Sequence, residues 1–428
     1  MNLPGSPFLA RDAAGTLTLE GHALAGLAHE FATPLYVYSR QAMRAAVTAY
    51  QQALAGRPHL VCYAMKANSS LAVLQTFAEA GCGFDIVSAG ELQRVLAAGG
   101  SADQVVFSGV GKTRAEMRLA LEAGVRCFNV ESEAELDVLS EVATAMGKTA
   151  PISLRVNPDV DAKTHPYIST GLKGNKFGIS HEHALAVYQH AARLPGIAVH
   201  GIDCHIGSQI TEISPYLDAL DRVLDLVEAI EAAGIPVHHL DLGGGLGITY
   251  TDEQPPTADA LIGALLAKID ARGHGHREIL MEPGRSLVGN AGVLLTEVLY
   301  LKPGEHKNFC IVDAAMNDMA RPAMYEAWMG IVPCQQRDDT TQTWDVVGPV
   351  CESGDWLGRD RALAVQPGDT LAMLSAGAYG MTMASNYNSR PRAAEVMVDG
   401  AQVTLIRARE TVESLFAGER LIDGHSRL

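Results

Sequence analysis

No window of this chain reaches eighteen uncharged apolar residues, so no segment is predicted to cross a bilayer as a helix. A concentrated basic patch is missing too. The formal net charge is -16, which disfavours nucleic acid and anionic membrane surfaces as partners, because both bind through clustered Lys and Arg. The seven cysteines, at 62, 82, 127, 204, 310, 334 and 351, form no C-x-x-C pair. Neither a disulfide framework nor a structural zinc site is expected, and a reducing compartment is. The first residues, MNLPGSPFLARDAAGTL, lack the basic start and apolar core of a secretory leader. A cytoplasmic location is the expectation. Low-complexity segments and long linkers are absent as well.

What is present is a long, regular alternation. With 428 residues, 47% of them hydrophobic, the chain has enough material for one large domain and a smaller one. Apolar runs at 59–66, 83–88, 104–109, 126–131, 152–158, 198–206, 238–242 and 278–282 read as eight strands. Segments of helical period lie between them, at 71–79, 90–98, 114–122, 133–144, 183–193, 216–233 and 258–271. Strands that alternate with such helices pair in parallel through right-handed crossovers. Eight units over this length predict a closed (β/α)8 TIM-like barrel, with an open doubly wound sheet as the structural alternative. The barrel is placed at 35–287. After about Ser286 the pattern changes to short alternating strands and turns, which predicts a carboxyl-terminal β domain over 288–428 completed by residues 1–34.

The stretch Val61-Cys62-Tyr63-Ala64-Met65-Lys66-Ala67-Asn68 organises the rest. Its alternation puts Cys62 and Ala64 on one face and Tyr63 and Met65 on the other, and it breaks just after a lysine; Asn68-Ser69-Ser70 is expected to cap a helix starting near Leu71. A lysine at the carboxyl end of a strand has the position that a Schiff-base nucleophile requires. On this segment alone, a lysine snorkelling at a strand end is the plainer reading. The other strand ends change the balance. In a barrel the chemistry collects there, and the predicted ends carry Lys66, Asp85, Ser108, Glu131, Arg155 with Asn157, His205 with Ser208, and Glu282 with Arg285.

After the seventh run comes Asp241-Leu242-Gly243-Gly244-Gly245-Leu246-Gly247. Glycines here let backbone N–H groups approach an anion, and late loops of barrels are frequent phosphate sites, although a tight turn explains a glycine run equally simply. Combined with a strand-end lysine, the run suggests a phosphorylated aldehyde cofactor, pyridoxal 5'-phosphate. Glu282, in Met281-Glu282-Pro283-Gly284-Arg285, is suited to hold the pyridine nitrogen protonated, so that the ring accepts electrons. A salt bridge to Arg285 is the alternative. His205 is compatible with a zinc ligand beside Cys204, with a satisfied core histidine, and with an imidazole packed on the cofactor ring. No second Cys/His cluster supports zinc, which favours the last and leaves no metal expected.

These residues carry a family resemblance. The chain resembles the diaminopimelate decarboxylases, within the fold type III, alanine-racemase-like pyridoxal-phosphate decarboxylases. The resemblance covers nearly the whole chain and rests on Tyr63-Ala64-Met65-Lys66-Ala67-Asn68, Phe84-Asp85-Ile86-Val87-Ser88-Ala89-Gly90-Glu91, His205-Ile206-Gly207-Ser208-Gln209, the glycine run and Glu282-Pro283-Gly284-Arg285. Further on it includes Arg321-Pro322-Ala323-Met324-Tyr325, Gly348-Pro349-Val350-Cys351-Glu352-Ser353-Gly354-Asp355 and Gly377-Ala378-Tyr379-Gly380.

The resemblance implies that Lys66 carries the cofactor, His205 stacks on its ring and Glu282 pairs with its nitrogen. Asp85, Ser208, Gly244, Gly245, Gly284 and Arg285 would complete the cofactor site, with Tyr379 from the β domain. It implies a homodimer with shared sites, in which Cys351, the proton donor, and Glu352 enter from the partner. The reaction implied is decarboxylation of meso-2,6-diaminopimelate to L-lysine, the last step of lysine biosynthesis. The far end of that substrate is a zwitterion, which Arg285, Arg321, Tyr325, Tyr379 and Glu352 would recognise. An arginine left buried without its partner costs on the order of 3 to 5 kcal/mol, which would reject lysine. A related ornithine or arginine decarboxylase is the alternative, and relatives of that kind typically carry Asp in place of Glu352. A non-catalytic cofactor-binding protein would lack both the β domain and Cys351-Glu352, and a racemase is disfavoured by Glu282. One departure is Glu326-Ala327-Trp328-Met329, where the family more usually has a His; Gly171-Leu172-Lys173 and Lys176-Phe177-Gly178 fit the family without an assigned role.

Overall fold

A computed structural model describes Leu3, Gly5 and residues 8–161 and 175–422; Gly171, Leu172 and Lys173 lie outside the described residues. Contacts separate a unit of residues 43–289 from a second unit of residues 1–42 and 290–428.

The first unit is a closed parallel barrel. Its strands are β1 (His59–Ala64), β2 (Gly83–Ile86), β3 (Val105–Phe107), β4 (Cys127–Val130), β5 (Ala150–Asn157), β6 (Ile197–Asp203), β7 (His239–Asp241) and β8 (Glu278–Met281). Each pairs in parallel with the next, and β8 returns to β1 through Ile279 beside His59 and Met281 beside Val61. The alternation expected in β1 is realised. Cys62 and Leu60 join Val106, Cys127 and Leu280 in one buried cluster, whereas the Tyr63 ring stacks at 4.3 Å on Phe77 of the helix Leu71–Glu79.

Local capping fixes where the helices begin, and so fixes the strand-end loops. Ser88, Thr113 and Ser132 each accept a hydrogen bond from the backbone N–H of a glutamate three residues on, at Glu91, Glu116 and Glu135. Thr113 and Glu116 close the reciprocal capping box. The helix at Leu71 starts where expected, but the Ser70 side chain makes no cap bond. Asn68 Oδ1 accepts from the Ser70 N–H at 3.1 Å instead, an Asx turn that holds the chain just past Lys66.

The second unit is mainly sheet. Strand Gly292–Lys302 lies at its centre, antiparallel to Leu35–Ser39, Phe309–Val312 and Thr370–Met373, and Leu35–Ser39 pairs in parallel with Ala394–Asp399. This differs from the sequence reading, which starts the barrel at residue 35. All five residues of Leu35–Ser39 are buried, and a strand apolar on both faces is stable only between two neighbours, which this sheet supplies. Leu9, Leu17, Leu19, Leu24 and Leu27 of the amino-terminal segment share one core with Leu35, Val37, Val293, Leu295, Ala372 and Val396.

Candidate active site

β1 ends at Ala64, and a single 3-10 turn, Met65–Ala67, follows it. Tyr63 Oη donates to the Asn68 carbonyl at 2.9 Å and pins that turn. Lys66 Nζ then lies 2.6 Å from Asp85 Oδ2 at the end of β2; the lysine side chain is 42% exposed and the aspartate fully buried. The loop after β8 packs on the same turn. Pro283 O accepts from the Ala64 N–H at 3.0 Å, and a Cβ on Gly284 would stand 3.1 Å from the Ala64 Cβ.

Glu282 is buried beneath this loop, and its Oε1 accepts from Asn129 Nδ2 at 3.2 Å, which also donates to Ser108 Oγ at 3.2 Å. Burial pushes its pKa well up, and the charges of Asp241, Asp85 and Asp203 push it further, against a lowering pull from Lys66. That pull places the amine of Lys66 and the acid of Glu282 in one electrostatic neighbourhood. Across the ring of strand ends, Arg155 Nη1 donates to Glu131 Oε1 at 2.9 Å. The Gly178 N–H donates to the other oxygen of Glu131 at 2.8 Å, and the Arg155 guanidinium lies 4.8 Å over the Phe177 ring. Phe177 and Gly178 thus act as props for this ion pair.

His205 Nδ1 accepts from the Gly244 N–H at 3.2 Å. An accepting Nδ1 carries no proton, so a neutral ring holds its hydrogen on Nε2. Burial, then the charges of Arg155 and Lys66, keep the imidazole pKa well below its ordinary value. The zinc alternative fails on direction: Cys204 lines an apolar space with Ile206, Tyr216, Leu220, Leu242 and Leu265, while His205 turns to the glycine loop. That loop is packed backbone to backbone. A Cβ on Gly244 would lie 2.0 Å from the Glu282 carbonyl oxygen and one on Gly245, at φ +101, 2.2 Å from that of Gly207. Ser208 Oγ accepts from Arg285 Nη2 at 3.2 Å, and Arg285 Nη1 donates to Tyr250 Oη at 2.6 Å.

The barrel therefore brings together Lys66, Asp85, His205, Ser208, Gly244, Gly245, Glu282, Gly284 and Arg285. Arg321, Tyr325, Cys351, Glu352 and Tyr379 belong to the second unit. There Arg321 is buried with Nη1 3.8 Å from Met329 Sδ. Tyr325 and Tyr379 are half-buried, and Tyr379 holds a left-handed φ of 55. Cys351 and Glu352 are exposed in a loop tied down by Asp355, whose oxygens accept from the Met316 and Val350 N–H groups at 2.7 Å. Glu352 lies close enough to the Tyr387 hydroxyl to raise its pKa. At the departure noted in the sequence, the Trp328 ring carries the Arg361 guanidinium 3.2 Å above it. Sequence reasoning missed Asn129, Tyr250, Asp203 and Asp241; the only trace of the last is an Asp directly ahead of the glycine run.

These groups fit pyridoxal phosphate. An amine stands at a strand end beside a buried carboxylate whose Oδ1 has no partner among the described residues, the glycine loop has no room for side chains, and Arg285 with Ser208 offers donors to an anion. Residues 40–289 match the family described as "Pyridoxal-dependent decarboxylase, pyridoxal binding domain". Diaminopimelate decarboxylase of Pseudomonas aeruginosa is 59% identical over 415 residues, 97% of this chain and 99% of its own. The Vibrio cholerae enzyme of the same name is 57% identical over 408 residues, 95% and 97% of the two chains. The crystal structure of diaminopimelate decarboxylase from M. jannaschii in co-complex with L-lysine superposes with a TM-score of 0.94 at 39% identity, covering 98% of this chain and 99% of that one. The fold and the strand-end ring thus define a pyridoxal-dependent decarboxylase barrel. The chain belongs to the diaminopimelate decarboxylase family, and pyridoxal 5'-phosphate is its cofactor. Among the described residues no helix is long and apolar enough to cross a membrane.

Proposed function

We propose that this chain removes one carboxylate of meso-2,6-diaminopimelate to give L-lysine and carbon dioxide, in the cytoplasm, as a homodimer whose sites are shared between protomers. The observation that carries the reading is the placement of Glu282 just past β8 and of Lys66 just past β1, the two strands whose pairing closes the barrel. An acid there is what a decarboxylase needs. When bound, pyridoxal phosphate supplies an electron sink for the pair that departing carbon dioxide leaves behind.

The protein's own groups do the rest. Lys66 Nζ would be the amine that holds the cofactor aldehyde. Glu282 keeps the ring nitrogen's proton in place through a charge-assisted hydrogen bond. His205, held neutral and oriented by Gly244, offers an uncharged flat face to the ring. Ser208, Gly244, Gly245 and Arg285 take the phosphate end, and Asp85 holds the amine of Lys66 in position. Cys351 Sγ of the second unit returns a proton to the α-carbon, and Glu352 accompanies it. Both side chains are exposed on this chain, as groups lent to a partner's site are.

At the far end of the substrate, Arg285 and Arg321 match a carboxylate and Glu352 an ammonium, with Tyr325 and Tyr379 as added donors. The L-lysine held by the M. jannaschii structure fits the product end of this reading. Purified protein with pyridoxal phosphate should release carbon dioxide and lysine in equal amounts from meso-diaminopimelate. Ornithine, which lacks the distal carboxylate, should turn over at least about 100-fold less well by kcat/KM, the range set by unpaired buried charge. Equal turnover of the two removes the substrate assignment.

A further inference from the structure

Beneath Glu282 the barrel interior carries two more acids. Asp203 ends β6 and Asp241 ends β7, each 1% exposed. One oxygen from each of Asp203, Asp241 and Glu282 lies within 4.8 Å of the others. Asp241 Oδ1 accepts from the Gly243 N–H at 3.0 Å, but among the described residues Asp241 Oδ2 and Asp203 Oδ1 have no hydrogen-bond partner. The charged neighbours are already engaged: Lys66 with Asp85, and Arg155 with Glu131. Below lie the thiols of Cys62 and Cys127, both buried and both pushed up in pKa, first by burial. Lys66 and Arg155 still pull on these acids from a distance.

Asp241 and Glu282 nonetheless bring one carboxylate oxygen each within 4.8 Å of the other. Two ionised carboxylates have four acceptors and no donor between them. A hydrogen bond joining them requires a proton, and like charges this close in a buried site resist simultaneous ionisation.

We propose that Asp203, Asp241 and Glu282 form a proton-holding carboxyl triad, in which a proton retained at neutral pH lies between Asp241 and Glu282 and makes Asp241 the positioning residue for the acid that faces the cofactor. The positioning half rests on the reading that Glu282 meets the ring nitrogen; the proton itself belongs to the protein alone. Sharing leaves the triad one net acceptor at Glu282 and fixes the orientation of its carboxyl group. Burial first raises all three acids above their ordinary range, and the charge of Asp241 raises Asp203 and Glu282 further, which agrees with retention.

The test is infrared spectroscopy of the cofactor-free protein at neutral pH, with the carbonyl stretch of protonated carboxyl groups recorded in H2O and D2O. The wild type should show such a band, sensitive to deuteration, and Asp241→Asn should remove or shift it. A wild type without the band overturns the triad, as does a band identical in wild type, Asp241→Asn and Asp203→Asn. So does a stoichiometric divalent cation in the purified protein, because a metal ion would neutralise the same three acids. The second readout is the dissociation constant of pyridoxal phosphate by fluorescence. Asp241→Asn, whose amide donates in place of the shared proton, should stay within about threefold of wild type, and Asp241→Leu should bind roughly tenfold more weakly. Equal weakening by both variants overturns the positioning role. Attachment of the cofactor at a lysine other than Lys66, with the infrared band intact, overturns the cofactor reading and leaves the triad standing.

Discussion

Lys66 Nζ lies 2.6 Å from Asp85 Oδ2, and among the described residues Asp85 Oδ1 has no hydrogen-bond partner. A buried carboxylate with one oxygen committed to an amine and the other idle is set to act when that amine changes partner. Its removal should therefore weaken the cofactor site without unfolding the barrel. Asp85→Ala should raise the dissociation constant of pyridoxal phosphate by roughly tenfold, the worth of one lost charged hydrogen bond, measured by fluorescence titration. An unchanged constant would remove Asp85 from the site.

Glu282→Gln separates activity from stability. The variant keeps an acceptor for Asn129 but loses the charge aimed at the ring, and a charge-assisted hydrogen bond is worth about 1.5–3 kcal/mol, so kcat should fall roughly ten- to hundredfold. The same change relieves repulsion among Asp203, Asp241 and Glu282, so the Tm of the cofactor-free protein should hold or rise. A large fall in Tm would contradict the account of this cluster.

The pH dependence of stability has a definite sign. Burial above all, with the charge of Asp85 adding to it, raises Asp241 from 3.8 to about 6 in the folded chain. Between those values the folded state binds more protons than the unfolded one, so the contribution is fully present below 3.8 and lost as pH rises through about 6. Asp241→Asn has no such loss. Unfolding free energies of wild type and variant should diverge, in favour of the variant, by on the order of 2–3 kcal/mol across that window and run parallel above it. Denaturant titrations at several pH values measure this directly.

If Cys351 serves the partner's site, two inactive chains should repair each other. Lys66→Ala and Cys351→Ala mixed in equal amounts give heterodimers with one intact site of two, so activity should recover to about a quarter of wild type. No recovery after confirmed subunit exchange would mean that each chain builds its site alone.

Much of the barrel was legible because each strand is an apolar run that stops at a polar residue, and those stops are the residues that the barrel brings together. Lys66, Asp85, His205 and Glu282 were visible for that reason. Asp203 and Asp241 were not: an acid in a strand reads as a terminus or an exposed face, and only the closure of β6 to β7 and β8 places them inside. In the second unit, strand Trp356–Leu363 leaves little mark in the sequence because Arg359, Asp360 and Arg361 interrupt its apolar pattern and Asp360 sits at φ 53. Leu35–Ser39 reads as a barrel strand by composition, and its true partners, Gly292–Lys302 and Ala394–Asp399, lie more than 250 residues away. Long-range pairing of that kind leaves no local mark.

The central claim is that Lys66 is the amine to which pyridoxal phosphate attaches. Borohydride reduction of the loaded protein, followed by proteolysis and mass spectrometry, should place one phosphopyridoxyl group on the peptide containing Lys66 and none in Lys66→Ala. The group on any other lysine, or its retention in the variant, would contradict the account.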